Sequence, residues 1–195
     1  MNAQRRISFL LAALAIGALG AGSWQVLEGS WIYMKARLAQ YLLKQAWSRT
    51  LAGDRSATPW PWADTWPIAR LIVPSHNIDV IVLNGAYGRT LAFGPGFVES
   101  SAVPGSSGTT ILTGHRDTHF AFLKHVGPGE SLSLQLPDGS RHDYRVRSQQ
   151  IIDSRTGIIQ QDHERRALVL VTCYPFDSPL PGGPLRYVLT AEPDG

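Results

Sequence analysis

From residue 68 onward the chain alternates short apolar runs with Gly, Pro and Asn, the texture of strands divided by turns. Strands are expected over residues 70–73, 78–83, 109–112, 131–136, 141–152, 167–173 and 185–191. Pro137-Asp138-Gly139-Ser140 is a turn signal that joins two of them as a hairpin. Residues 87–93 and 118–126 each offer a helical turn or two. No internal repeat is present, so the pattern predicts an antiparallel barrel or sandwich.

The first third reads differently. Residues 7–27 carry no charge and follow Arg5 and Arg6, and at about 1.5 Å per residue the run reaches across a hydrocarbon core of about 30 Å. An uncleaved membrane anchor is expected. Ala18-Leu19-Gly20-Ala21 supplies the small residues of the competing reading, a cleaved signal peptide. Lys35, Arg37 and Lys44 beyond the run nearly balance Arg5 and Arg6, so charge asymmetry does not orient it.

Over residues 31–49, Trp31, Met34, Leu38, Tyr41 and Leu42 recur at helical spacing among basic residues. A basic amphipathic helix follows, which lies on an anionic surface, continues the anchor as a stalk, or packs on the globular domain. All six tryptophans precede Pro67, three of them in TPWPWADTWP, a stretch expected to form a semi-rigid extended linker. The organisation is thus 1–28 anchor or signal segment, 29–51 amphipathic helix, 52–67 linker and 68–195 β-domain.

With 195 residues there is room for one core plus this appendage. A net charge of +3 from only 17% charged residues, scattered and mixed in sign, is no nucleic-acid footprint. The single cysteine excludes an internal disulfide and leaves a thiol that is either buried filler or reactive.

That thiol, Cys173, closes Leu170-Val171-Thr172-Cys173. An arginine follows in Leu185-Arg186-Tyr187-Val188, and a histidine stands upstream in Thr113-Gly114-His115-Arg116-Asp117-Thr118. If strands 167–173 and 185–191 pair antiparallel, Thr172 or Cys173 lies opposite Arg186, with directly opposed side chains about 5 Å apart. A slip of one residue sends the arginine to the other face. A nucleophile, a proton carrier and a fixed cation are the parts of an acyl-transfer site. At pH 7 an unperturbed thiol is only a few per cent thiolate and an unperturbed imidazole roughly a quarter protonated. Independent titration would therefore populate the thiolate–imidazolium pair below about one per cent.

The order histidine, then Thr-Cys, then arginine on the last strand resembles the sortase family of cysteine transpeptidases. The resemblance implies an eight-stranded sortase-type β-barrel over about residues 67–195, with short helices, behind an N-terminal transmembrane helix. It implies catalysis by His115, Cys173 and Arg186, with Asp117 and Thr172 as supporting residues. Cys173 would form an acyl-enzyme with a secreted protein carrying an LPxTG-like sorting signal, cut between Thr and Gly, and pass it to an amine acceptor. The implied location is the bacterial cytoplasmic membrane, single-pass, with the catalytic domain outside and no cofactor needed. The aromatic, Pro-rich stretch after the anchor resembles the subgroup found in proteobacteria. One departure is present: the family's usual Thr-Leu-x-Thr-Cys reads Val169-Leu170-Val171-Thr172-Cys173 here.

Other readings stay open. His115, Asp117 and His119 form H-x-D-x-H, which on a strand places three metal-ligand types on one face. Asp153, Asp162 and Glu164 are acidic enough to help hold calcium, but their spacing is not diagnostic. His76, His125, His142 and His163 show no partnered spacing and are expected at the surface. A papain-like peptidase places its cysteine before its histidine, the reverse of this order. An L,D-transpeptidase carries Ser-x-Gly-Cys with an arginine two positions on, where Pro175 stands here. A peptidase that mainly hydrolyses, and a non-catalytic membrane-tethered β-domain that binds a partner protein, remain as alternatives.

Overall fold

Alternation of burial along the strands builds the C-terminal part of the molecule. The computed structural model describes residues 3–180 and 182–194, and their side chains except those of residues 3–9, 12 and 32. Eight strands, β1 (Pro67–Val73), β2 (Ile78–Asn84), β3 (Gly96–Phe97), β4 (Thr109–Thr113), β5 (Ser131–Gln135), β6 (Arg141–Asp153), β7 (Ala167–Cys173) and β8 (Leu185–Pro193), close a barrel in the order β1-β2-β3-β4-β7-β8-β6-β5. The 137–140 turn forms as expected: the Gly139 amide donates to the Leu136 carbonyl at 3.0 Å, and Gly139 takes φ +84°, which glycine adopts without cost.

Two features depart from the sequence reading. The barrel is not wholly antiparallel, since β2 pairs β3 and β4 pairs β7 in parallel. The second pairing is non-local, and no turn signal announces it. β3 was also not foreseen, because it is two residues long and begins at a glycine that reads as a turn. A side chain there would meet the Gly85 carbonyl oxygen at 2.3 Å, so only glycine lets the backbone in.

The barrel interior is filled by alternate residues, among them Leu112, Leu132, Leu134, Tyr144, Leu168, Leu170, Leu189 and Ala191, with Phe120 across one end. A second apolar cluster lies on the outer face of β4, β7 and β8: Ile111, Val169, Val171 and Val188, joined by Ile152 and Ile159. With both faces covered, β7 reads as a near-continuous apolar run.

The chain divides into two compact units, residues 1–41 and 42–195. A single helix, α1 (Ala3–Leu51), replaces the two helices expected, because Glu28-Gly29-Ser30 contains no proline and one glycine costs only about 1 kcal/mol. Of the expected apolar stripe, Trp31, Met34, Leu38 and Tyr41 in the first unit are exposed, while Leu42, in the second unit, is half-buried. Among the described residues no helix is long and apolar enough to cross a membrane. The expected span begins at residues 7–9, whose side chains, like those of Arg5 and Arg6, lie outside the described set, and Gly17, Gly20, Gly22, Ser23 and Gln25 dilute the remainder.

In the second unit the buried stripe of α1 is Leu43, Ala46, Trp47 and Thr50, at i, i+3, i+4 and i+7, with Leu43 and Trp47 packed against Ile81 and Leu83 on the outer face of β2. The tryptophan-rich stretch is not the extended spacer expected. It folds back in turns, with the half-buried Trp60 edge-on to Phe93 at 4.8 Å and Thr65 donating to the Asn84 carbonyl at 2.7 Å, contacts that an extended spacer would forgo, while Trp62 stays exposed.

Candidate active site

Three segments meet at one rim of the barrel. β7 ends at Cys173 and β8 opens beside it, with Cys173 the register partner of Arg186. The parity of β7 puts Leu168, Leu170 and Thr172 inward and Val169, Val171 and Cys173 outward; on β8, Arg186 and Val188 share that outer face. Cys173 and Arg186 therefore stand side by side at the edge of the outer apolar cluster, and the Cys173 residue is half-buried. Directly opposed side chains of this kind lie about 5 Å apart.

The parallel pairing of β4 with β7 delivers the third segment. Thr113 is the partner of Val171, so β4 runs out at the same rim and leads into Gly114 and His115. Two bonds weld this exit to β7: the Gly114 amide donates to the Val171 carbonyl at 3.2 Å, and the buried Thr172 hydroxyl donates to the Gly114 carbonyl at 2.7 Å. A Cβ at 114 would press on the Phe120 ring at 3.0 Å, so a side chain there would have to displace the ring by a few tenths of an ångström. The chain then turns tightly, the Phe120 amide donating to the His115 carbonyl at 3.0 Å, which leaves the His115 side chain exposed at the rim. Among the described residues no hydrogen bond joins the imidazole to the thiol.

Among the described residues Arg186 has no carboxylate partner within salt-bridge distance. Its Nη1 donates to the carbonyls of Gly183, at 2.7 Å, and Leu185, at 2.9 Å. The nearest acid along the pairing, Asp153, sits opposite Leu185 and is taken by Arg155 through two bonds of 3.0 and 2.6 Å. The Arg155 side-chain bonds hold Asp153 down at about 2, with the Arg186 charge a smaller contribution. A guanidinium with donors to spare beside a sulfur can stabilise a thiolate or a developing oxyanion.

The remaining expected residues fall as follows. Thr172 does not face the reacting edge but ties β7 to the histidine turn. Asp117 is exposed and lies 3.4 Å from Arg116 Nε, a contact too long to order it firmly. His119 is pulled below the usual imidazole range by burial, while a bond to the Ala92 carbonyl opposes that shift. In H-x-D-x-H the first two residues are exposed and His119 is half-buried, and among the described residues no group of three or more His, Cys, Asp or Glu side chains is placed to hold a metal ion. Asp162 instead accepts the Glu164 and Arg165 amides at 2.8 and 2.9 Å. Of the histidines expected at the surface, His76 and His142 are half-buried and partnered, by Glu130 at 2.8 Å and Arg166 at 2.9 Å.

Sequence reasoning passed over Arg116. Its side chain is 4% exposed and its guanidinium donates to the carbonyls of Pro175, Ser178 and Leu180 at 2.8, 3.0 and 2.7 Å, all in the loop that follows Cys173. That loop, residues 174–184, is also anchored by Phe176, which packs edge-on to Tyr187 at 5.1 Å over the barrel end. Pro181, within it, lies outside the described residues.

The family model for the sortase domain matches residues 71–194. Sortase D of Bacillus subtilis is 34% identical over 120 residues, which cover 61% of this chain and 60% of that relative, so the chain spans about three-fifths of the relative's length. Among solved structures, sortase A of Corynebacterium diphtheriae matches with a TM-score of 0.61 at 19% identity, over 80% of this chain and 84% of that one. Sortase A of Listeria monocytogenes matches with a TM-score of 0.57 at 23% identity, over 66% of this chain and 88% of that one. These two share the fold. The family match over 71–194 takes in the histidine turn, the cysteine strand and the arginine strand together, and by it this chain belongs to the sortase family.

Proposed function

We propose that this chain is a thiol transpeptidase acting on proteins that carry an LPxTG-like sorting signal. The Cys173 thiolate attacks the carbonyl carbon between Thr and Gly, and the oxyanion that forms is met by the Arg186 donors. His115, as imidazolium, gives its proton to the departing glycine amine, the C–N bond breaks and a thioester remains on Cys173. An incoming amine attacks the thioester, His115 takes its proton, the C–S bond breaks and the acyl group leaves as a new amide. The observation that carries this reading is the register of Cys173 against Arg186, with the Thr172 hydroxyl holding the histidine turn against the same strand. Thr172 serves as a positioning residue in this scheme, and Asp117 is a weaker candidate for steadying the turn.

The uncharged run at residues 7–27 fits a single-pass tether in a cytoplasmic membrane, with the barrel on the outer side where secreted substrates emerge. The aromatic, Pro-rich stretch before β1 favours the proteobacterial subgroup. Residues 1–51, 52–67 and 68–195 are then tether and stalk, packed linker and catalytic barrel.

The test is intact-mass detection of an acyl adduct on the full chain in detergent after mixing with LPxTG peptides, with and without an amine such as triglycine. An adduct lost in Cys173→Ala and resolved to a triglycine product supports the reading. Release of free acid alone despite the amine would make the protein a peptidase, and a folded protein that forms no adduct with any peptide would leave a binding domain.

A further inference from the structure

The polar group that the proposed chemistry leaves unused is the guanidinium next to His115. Arg116 is buried to 4% exposure of its side chain, yet among the described residues its one carboxylate contact, to the exposed Asp117, is long at 3.4 Å. Three carbonyls of the 174–184 loop surround the rest of the head group. That loop is poor in its own donors, since Pro175, Pro179, Pro181 and Pro184 have no amide N–H. Within the loop the Ser178 hydroxyl reaches the Leu180 carbonyl at 3.1 Å and the Ser178 amide reaches the Pro175 carbonyl only at 3.5 Å, and a fork of five donors on a flat cation supplies the shorter bonds to three acceptors spread over residues 175–180. Arg116 is therefore bonded along the chain to His115 and across space to the segment that starts at the residue after Cys173.

We propose that Arg116 is a positioning residue, fixing the loop beside the thiol and the distance between the imidazole turn and the sulfur by clasping the Pro175, Ser178 and Leu180 carbonyls. This rests on the thiol-transpeptidase reading for its kinetic consequence but not for its structural one. Removing the fork frees the loop and lets the histidine turn move relative to Cys173, a misplacement that costs rate more than binding.

The experiment compares wild type, Arg116→Met, Arg116→Lys and, as a control in the barrel interior away from the rim, Leu134→Ala, all as the full chain in detergent. Hydrogen exchange followed by mass spectrometry reports on residues 174–184, and iodoacetamide alkylation at a fixed pH reports on Cys173. Transpeptidation of an LPxTG peptide supplies kcat and KM. For Arg116→Met the expectation is faster exchange confined to residues 114–120 and 174–184, an alkylation rate changed by at least about threefold, and kcat lower on the order of 100-fold with KM moved much less. Arg116→Lys, which keeps the charge but not the fork, recovers only part of this.

The proposal is overturned if Arg116→Met leaves exchange in 174–184 as in wild type, or if Leu134→Ala reproduces its kcat loss. A wild-type chain inert toward every peptide would refute the transpeptidase reading alone, and the exchange and alkylation results would still decide the role of Arg116.

Discussion

Two loops leave the rim where Cys173 ends β7, one returning to it at β8 and the other, residues 154–166, running to the far end where β7 begins, and they are held in opposite ways. Residues 174–184 are gripped at the middle by a buried guanidinium bonded to three carbonyls, and pinned by Phe176 on Tyr187. Residues 154–166 are held at their ends. Arg155 closes on Asp153, Asp162 caps the Glu164 and Arg165 amides, and the Asp162 amide and carbonyl exchange bonds with Thr109 at 2.9 Å. Between those ends only Ile159 reaches the outer apolar cluster, while Ile158 is 86% exposed. One wall is fixed by a cation meeting neutral acceptors, the other by carboxylates meeting amides and an arginine. A loop braced at its centre holds a shape, whereas one braced at its ends can adapt to what lies against it.

Four tests would break or sharpen that contrast. The largest effect is expected from Arg186→Ala, which removes donors beside the sulfur and should lower kcat for an LPxTG peptide by about 100- to 1,000-fold, measured by product formation, while 154–166 stays as in wild type and 174–184 loosens only near Gly183, whose carbonyl Arg186 holds. An unchanged rate would mean that the fixed wall, and not the cation, serves the chemistry. Next, Phe176→Ala takes a half-buried ring from the barrel end and should cost about 2–3 kcal/mol in urea denaturation. Its local signature is faster exchange in 174–184 while 154–166 stays as in wild type.

Thr172→Val keeps shape but leaves the buried Gly114 carbonyl without its donor, for a loss of about 1–2 kcal/mol. Denaturation together with the 1H–15N shifts of Gly114 and His115 would check it. The smallest effect is a matter of acid. Asp153 and Asp162 are both held below the usual carboxylate range, the first to about 2 by Arg155 and the second by the amides it accepts. Because their folded pKa values lie below the unfolded ones, the bracing they give is whole above about pH 4 and is lost as pH falls toward the folded values. The acceptors that brace the 174–184 loop at its centre are carbonyls, not carboxylates. At pH 3, exchange corrected for intrinsic rate should therefore rise at Arg155, Glu164 and Arg165 before it rises anywhere in 174–184. The reverse order would refute the contrast.

Much of this was legible along the chain, for reasons that differ by element. Strands such as 131–136 and 167–173 announce themselves because one or both faces must be apolar, and the 137–140 hairpin because its turn chemistry is local. The pairing of Cys173 with Arg186 followed once two neighbouring strands were assumed antiparallel, with only a single-residue slip in doubt. What stayed hidden depends on contacts far apart in sequence. Nothing near Thr109–Thr113 indicates that it will lie parallel to β7, and β3 is too short to carry a period. Arg116 was masked by its neighbours, since His115 and Asp117 are the residue types that chemistry draws the eye to. Its signal was in the other segment: a loop with prolines at 175, 179, 181 and 184 is short of amide donors, which leaves its carbonyls open to a cation from elsewhere.

The parallel run of β4 beside β7 has one more consequence. The Thr172 hydroxyl and the Gly114 carbonyl it holds are 58 positions apart, and between them lies the β5–β6 hairpin with its exposed tip at Asp138 and Gly139. Such tips tolerate breaks in the covalent chain. Cut there, the protein would become two pieces, one bearing the imidazole and the other the sulfur and the guanidinium, neither able to turn over alone. Their reunion could then be read out as recovered catalysis, which makes this barrel a candidate scaffold for a split reporter of proximity.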